Sequence, residues 1–151
     1  MKHALSVVLT VMLTATFAPA GGRVGAAPHD GHVAAGTIKV TVTYKGKGVV
    51  DASHKLWVWL FDTPNIGPGS VPIGQVSLDK NGADAVFENV AGDAVYIAAA
   101  FDESGSMQGD APPPTGSPIG VLSGANGAPE GVTPGAKTAA VLSFDDTIRM
   151  P

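Results

Sequence analysis

The chain has 151 residues, of which 13 are acidic and 9 basic, a net charge of −4 and no cysteine. The absence of cysteine excludes disulfides, thiol chemistry and cysteine-ligated zinc or iron–sulfur sites. A mildly acidic chain without clusters of lysine or arginine is also a poor candidate for binding nucleic acid or an anionic membrane. We therefore expect no nucleic-acid partner and a fold that is stable without covalent cross-links.

The first twenty residues have the pattern of a signal peptide. A short start with Lys2 is followed by an uncharged apolar run over residues 4–17, and residues 18–20 (Ala-Pro-Ala) have the form of a signal peptidase site. The run is shorter than the roughly 20 residues of a membrane-spanning helix, although an N-terminal anchor helix is the alternative. Removal of residues 1–20 keeps all 13 acidic and 8 basic residues, for a net charge of −5. We expect a periplasmic or secreted protein without a membrane span after signal removal.

Residues 21–35 are rich in glycine, alanine and proline, which predicts a flexible leader before a folded domain over residues 36–151. His29 and His32 in this leader form a candidate metal pair. Ordering a flexible segment around an ion is costly in conformational entropy, so we do not favour a histidine site.

The rest of the chain consists of short segments with strand character, separated by turns rich in glycine, asparagine and proline. Asn81-Gly82 is the strongest hairpin signal among these turns. No segment has a helical period, and each half-buried strand needs a second sheet against its apolar face. The pattern predicts an all-β fold, a single antiparallel Greek-key β-sandwich of six to seven strands. The predicted strands are 37–44, 55–62, 73–78, 83–87, 94–101, 119–122 (the weakest) and 137–144.

The second predicted strand is apolar on both faces. Trp57, Trp59 and Phe61 share one face, which we interpret as core packing, with the opposite face under a covering loop. The alternative is an exposed aromatic stripe that stacks on sugar rings or contacts a partner protein. The residues expected to be mostly buried in the whole domain are Ile38, Val40, Val42, Leu56, Val58, Leu60, Phe87, Tyr96, Ala98, Ala100 and Val141.

The polar loop after the fifth predicted strand is a candidate calcium site. Asp102, Ser104 and Asp110 have ligand-like spacing, although the loop lacks the glycine and the bidentate glutamate of an EF-hand. Asp146 can add a carboxylate if the fifth and seventh strands end on the same side of the sandwich. The alternative is that these aspartates cap turns, because their side chains bond to nearby backbone amides. Calcium is the one cofactor that the sequence suggests.

Four segments, over residues 36–42, 56–61, 82–90 and 96–103, together resemble the transthyretin-like (prealbumin-like) sandwiches of bacterial exported proteins. These include carboxypeptidase-regulatory-like domains and small stand-alone relatives. The most characteristic part lies between Val86 and Tyr96, with Phe87, Asn89 and Val90 inside it. The resemblance implies a structural, adhesive or ligand-binding module and not a catalyst.

Catalytic signatures are missing from the sequence. It has no Gly-x-Ser-x-Gly elbow, no His-Glu-x-x-His pair and no phosphate-binding loop. We therefore expect an exported, non-enzymatic β-sandwich with a structural or binding role at the cell envelope, where its partner is a protein or a carbohydrate. A calcium-binding module is one alternative, and a small hydrolase is a weaker one.

Overall fold

The computed structural model describes residues 35–67, 69–135 and 138–151, and these form seven β-strands and no helix. The predicted signal peptide, nearly all of the predicted leader, and His29 and His32 lie outside the described residues. No helix able to cross a membrane was found in the described part of the chain. The strands are β1 (Gly36–Tyr44), β2 (Leu56–Phe61), β3 (Gly74–Leu78), β4 (Asp84–Val90), β5 (Tyr96–Phe101), β6 (Ile119–Val121) and β7 (Thr138–Phe144).

The seven strands form two sheets, with the order β4-β1-β7 in one and β3-β2-β5-β6 in the other. This confirms the prediction of an all-β sandwich. The strand β5 returns past β3 and β4 to pair with β2, which is the return connection of a Greek key. Six strands were predictable from alternation and turns, and the weak 119–122 segment does form β6.

One strand pair departs from the predicted antiparallel arrangement. β1 and β7 run parallel, with Thr41 opposite Val141 and Tyr44 opposite Phe144. Alternation along a strand determines which side chains share a face, but it carries no information about strand direction. Since β7 enters this sheet from the opposite one, no tight hairpin forces it to run antiparallel to its neighbour.

The main core lies between the two sheets, and most of the predicted core residues belong to it. Ile38, Val40, Val42, Leu56 and Val58 are each 0% exposed. The other predicted members Leu60, Phe87, Ala98 and Ala100 are also buried, and Tyr96 is half-buried.

The prediction for the last strand was wrong by one residue. Val141 is 68% exposed, whereas its neighbour Leu142 is buried in the main core. The segment Thr138–Phe144 is nearly continuously apolar and small, so its alternation does not distinguish the two faces. A shift of one residue moves every side chain of a strand to the other face.

The Asn81-Gly82 turn does not close a two-stranded hairpin, contrary to its sequence signal. It carries the chain from β3 in one sheet to β4 in the other. The amide of Asn81 accepts a hydrogen bond from the backbone N–H of Tyr44 at 2.8 Å and donates one to the carbonyl of Tyr44 at 2.7 Å. The side chain thus takes the place of a strand neighbour at the end of β1, while Gly82 has the positive φ (76°) that the turn needs.

Candidate functional site: an apolar cavity outside the four-stranded sheet

The two apolar faces of β2 serve two different clusters. Leu56, Val58 and Leu60 point into the core between the sheets. Trp59 and Phe61 belong to a second buried cluster on the outer face of the four-stranded sheet, and Trp57 packs against it. The interpretation from the sequence was therefore wrong. The leucine face of β2 packs in the main core, and the tryptophan face lies under a loop. The two tryptophan rings stack with their centroids 6.3 Å apart.

Small side chains from β5 form the floor of this outer cluster. Ala98 lies opposite Trp59 in the register of β2 and β5, and Ala100 lies opposite Trp57. Both alanines are buried, as is Met107 from the loop above them. The loop between β5 and β6, residues 102–118, covers this face and is called the covering loop. Because the alanine side chains are much smaller than their aromatic neighbours, room is left beneath this loop.

The covering loop is fastened to the sheet at Gly109. The indole N–H of Trp59 donates a hydrogen bond to the carbonyl oxygen of Gly109 at 2.9 Å. A side chain at position 109 would collide with the ring of Trp57 and with Gln75, so only glycine allows this close approach. In contrast, the buried indole N–H of Trp57 has no hydrogen-bond partner among the described residues.

A cavity of about 280 Å³ lies between the sheet and its covering segments. The sheet contributes Trp59, Phe61, Ala98 and Val121, and the remaining walls come from two loops and from the last residues of the chain. The loop residues include Ile66, Ser70, Pro72, Asp110, Pro112 and Pro113, and the last residues are Met150 and Pro151. The walls are mainly apolar, which is typical of sites for small organic molecules.

The first part of the covering loop is organised by Asp102, which is only 3% exposed. Its carboxylate accepts hydrogen bonds from the backbone N–H of Met107 at 2.9 Å, from that of Ser106 at 3.3 Å and from the hydroxyl of Ser104 at 2.9 Å. These bonds form the turn that directs Met107 into the outer cluster. Asp102 therefore caps a turn, which is the role that the alternative to calcium binding predicts.

Asp146 is held at the end of the sandwich by Tyr44. Its carboxylate accepts hydrogen bonds from the phenol of Tyr44 and from the backbone N–H of Lys47, the latter at 3.0 Å. The bond from Tyr44 is the main cause that lowers the pKa of Asp146, followed by the bond from Lys47. Burial, then the hydrogen bond to Asp146 and its negative charge, raise the pKa of Tyr44 to about 12.

The ends of β5 and β7 do lie on the same side of the sandwich, as the calcium hypothesis required. A guanidinium occupies the space between their carboxylates, since Arg149 contacts Glu103 at 3.0 Å and Asp146 at 3.5 Å. The bonds to Glu103 and the charge of Asp146 raise the pKa of Arg149.

The four residues predicted to bind a metal are placed in three different settings. Asp102 and Ser104 share one turn, Asp110 lies in the wall of the apolar cavity, and Asp146 is bonded to Tyr44. Within residues 35–67, 69–135 and 138–151, no group of three or more histidine, aspartate or glutamate side chains is arranged to hold a metal. The calcium site remains a prediction.

His54, the one histidine among the described residues, pairs with a carboxylate near the start of β2. Its Nδ1 lies 3.2 Å from Asp51, which also accepts the backbone N–H bonds of Ser53 and His54. The backbone bonds are the main cause that lowers the pKa of Asp51. This arrangement is a local turn on the surface.

Comparison of the chain with protein-family models, with curated proteins and with solved structures found no match. The function is therefore argued from the site itself. Sequence reasoning missed the cavity, although two of its signals were visible. These were the strand β2, which is apolar on both faces, and the long proline-rich loops that follow β2 and β5.

Proposed function

We propose that this chain is an exported, non-enzymatic module of transthyretin-like type that binds a small apolar ligand at the cell envelope. The binding site in this proposal is the cavity between the four-stranded sheet and the loop fastened to Trp59. Export is supported by the signal-peptide pattern over residues 1–20, and the family by the resemblance of the four segments named above.

The observation that carries the proposal is the cavity of about 280 Å³, closed on one side by Trp59 and Phe61. The outer face of the other sheet is open by comparison, since it carries Lys39, Thr41 and Asp84 and its valines Val86 and Val141 are exposed. On the four-stranded sheet, a separate apolar cluster and the loop that approaches it closely at Gly109 border a cavity instead. The volume is close to the lower end of known ligand pockets, about 300 Å³, which suits a ligand with a single ring.

The burial of the two tryptophans argues against an exposed aromatic stripe that stacks on sugar rings. Trp59 is 5% exposed and Trp57 is half-buried, so the two rings do not form an open stacking surface. A carbohydrate inside the cavity would leave most of its hydroxyl groups without partners, because the walls are mainly apolar. We therefore favour a small apolar molecule over the predicted carbohydrate or protein partner.

The test is a titration with 2-phenylethanol, a neutral, soluble molecule with one ring. Binding should shift the NMR signal of the Trp59 indole N–H, which lies beside the cavity and is fixed by its bond to Gly109. Ala98→Leu should weaken binding, because it adds side-chain volume to the cavity floor. The matched control is Ala139→Leu, the same substitution at an exposed position of the other sheet. Absence of any shift up to the solubility limit of the alcohol, in a folded protein, would contradict the proposal.

A further inference from the structure

We propose that the cavity selects an organic cation, namely a small apolar body that carries an ammonium group held beside Asp110. This inference rests on the proposed function, since it names the ligand class for the same cavity. It is carried by the charges of the cavity wall and by the way in which Asp110 is positioned.

The cavity wall offers negative charge and no positive charge. Among the described residues, Asp110 is the one charged side chain in the wall, and no lysine, arginine or histidine lines the cavity. Asp110 also forms no ion pair within this part of the chain. An anionic ligand would be taken from water without a partner and next to a carboxylate, which is strongly unfavourable. An ammonium group would instead gain a partner of opposite charge.

The other polar side chain in the wall is already occupied. The hydroxyl of Ser70 donates to the carbonyl of Asn65 at 3.0 Å and accepts the backbone N–H of Gly67 at 3.0 Å. The carboxylate of Asp110 therefore provides the free side-chain acceptor on this wall. It favours a ligand that donates hydrogen bonds over one that accepts them.

Asp110 is an exposed residue of the cavity wall, and the backbone beside it is fixed by its neighbour in sequence. The carbonyl of Gly109 accepts the indole N–H bond of Trp59, which fixes the backbone immediately before Asp110. Trp59 and Phe61 both line the cavity, and aromatic rings attract cations electrostatically. One wall thus combines a carboxylate with aromatic rings, the combination that recognises ammonium ligands. The net negative charge of the chain also favours the approach of cations.

The experiment compares three ligands of nearly equal size: 2-phenylethylammonium, 2-phenylethanol and phenylacetate. Each is titrated into the full folded domain at pH 7 and low salt, in the presence of chelator so that no calcium competes at Asp110. We expect the ammonium compound to bind at least about fivefold more tightly than the alcohol, from the usual strength of such charge contacts. Phenylacetate should bind more weakly than both.

Asp110→Asn should remove the preference for the cation, so that the ammonium compound and the alcohol bind about equally. The affinity for 2-phenylethanol should stay close to that of the unmodified protein, which shows that the cavity is intact. Asp79→Asn is the matched control, because it removes the same charge from an exposed turn outside the cavity wall. It should leave the preference for the cation in place.

The outcomes separate this inference from the function on which it rests. If all three ligands bind with similar affinity, or phenylacetate binds best, the selection for cations is wrong while the binding module stands. If the Asp110→Asn variant keeps the full preference, the carboxylate is not its source and the inference is equally wrong. If none of the three binds, the proposed ligand-binding function fails together with it.

Discussion

Trp59 and Gly109 are 50 residues apart in sequence, and a single hydrogen bond of 2.9 Å joins the indole of one to the backbone of the other. This bond fixes the covering loop at the point where it passes over the two tryptophans. The loop position therefore depends on an aromatic residue in the sheet and on a residue without a side chain above it.

Gly109→Ala should destabilise the protein by about 1–3 kcal/mol, because the new methyl group would collide with Trp57 and Gln75. Both tryptophans of the chain lie in this cluster, so their fluorescence should report the displacement of the loop during urea unfolding. Gly67→Ala is the control, since a methyl group there meets open space. Equal stabilities of the two variants would show that the loop tolerates movement at Gly109.

Val58→Ala should reduce the free energy of unfolding by about 1–3 kcal/mol. Val58 is fully buried between the sheets, and its truncation loses transfer free energy and leaves a cavity. Val141→Ala, at a position 68% exposed, should change stability by less than about 0.5 kcal/mol. Urea denaturation of both variants measures the difference, and a larger effect at Val141 would contradict the observed faces of β7.

Tyr44 should make stability fall at alkaline pH. Its folded-state pKa of about 12 lies above the ordinary value of 10.0, so its contribution is complete below pH 10 and is lost as the pH rises toward 12. Tyr44→Phe should be less stable at pH 7 but should lose less stability between pH 9 and 12. Melting curves across this range test the prediction. Tyr96→Phe is the control and should keep the alkaline loss of the unmodified protein.

Asp146 should produce the opposite dependence at acidic pH. The bonds from Tyr44 and Lys47 lower its pKa below the ordinary value of 3.8, so its contribution is present above that pH. This contribution is lost as the pH falls through the lowered folded-state pKa. NMR titration of the carboxyl signal measures the pKa directly, and in Tyr44→Phe it should move back toward 3.8. An unchanged titration in that variant would show that Tyr44 does not cause the shift.

Calcium binding at Asp102, Ser104, Asp110 and Asp146 is tested by melting the protein with millimolar calcium and with chelator. An ion that binds the native state alone raises the melting temperature by mass action. If the site forms, Asp102→Asn combined with Asp110→Asn should abolish that rise. Curves that coincide at near-physiological salt would leave the turn bonds of Asp102 as the account of its role.

The alternation of apolar and polar residues in each strand determines how much of the fold could be predicted from the sequence. β1 alternates strictly, so its buried face and its place in a sandwich could be read directly. β2 is apolar on both sides, and its sequence alone could not show which face meets the other sheet. The parallel pairing of β1 with β7 depends on the path of the chain between the sheets, which no local pattern encodes.

The candidate site was less predictable than the fold. The sequence drew attention to the loop after β5 through its aspartates, and Asp102 does organise that loop. The cavity, however, depends on two side-chain details. These are the small alanines of β5 below the loop and the fit of Gly109 above the indoles. Neither detail can be used to predict a cavity until the register of β2 with β5 is known.

The parallel pairing of β1 with β7 also has a consequence for how the chain folds. β1 is the first strand of the domain and its partner is the last, so the middle of the three-stranded sheet acquires its second neighbour only when residues 138–144 arrive. Because synthesis proceeds from the N- to the C-terminus, Ile38, Val40 and Val42 stay only partly covered until β7 has been made. Contacts between such distant segments slow folding, because a long loop must close before they form. The pairing of β7 with β1 closes the longest loop between paired strands in the described domain, so we expect it to be a late step in folding.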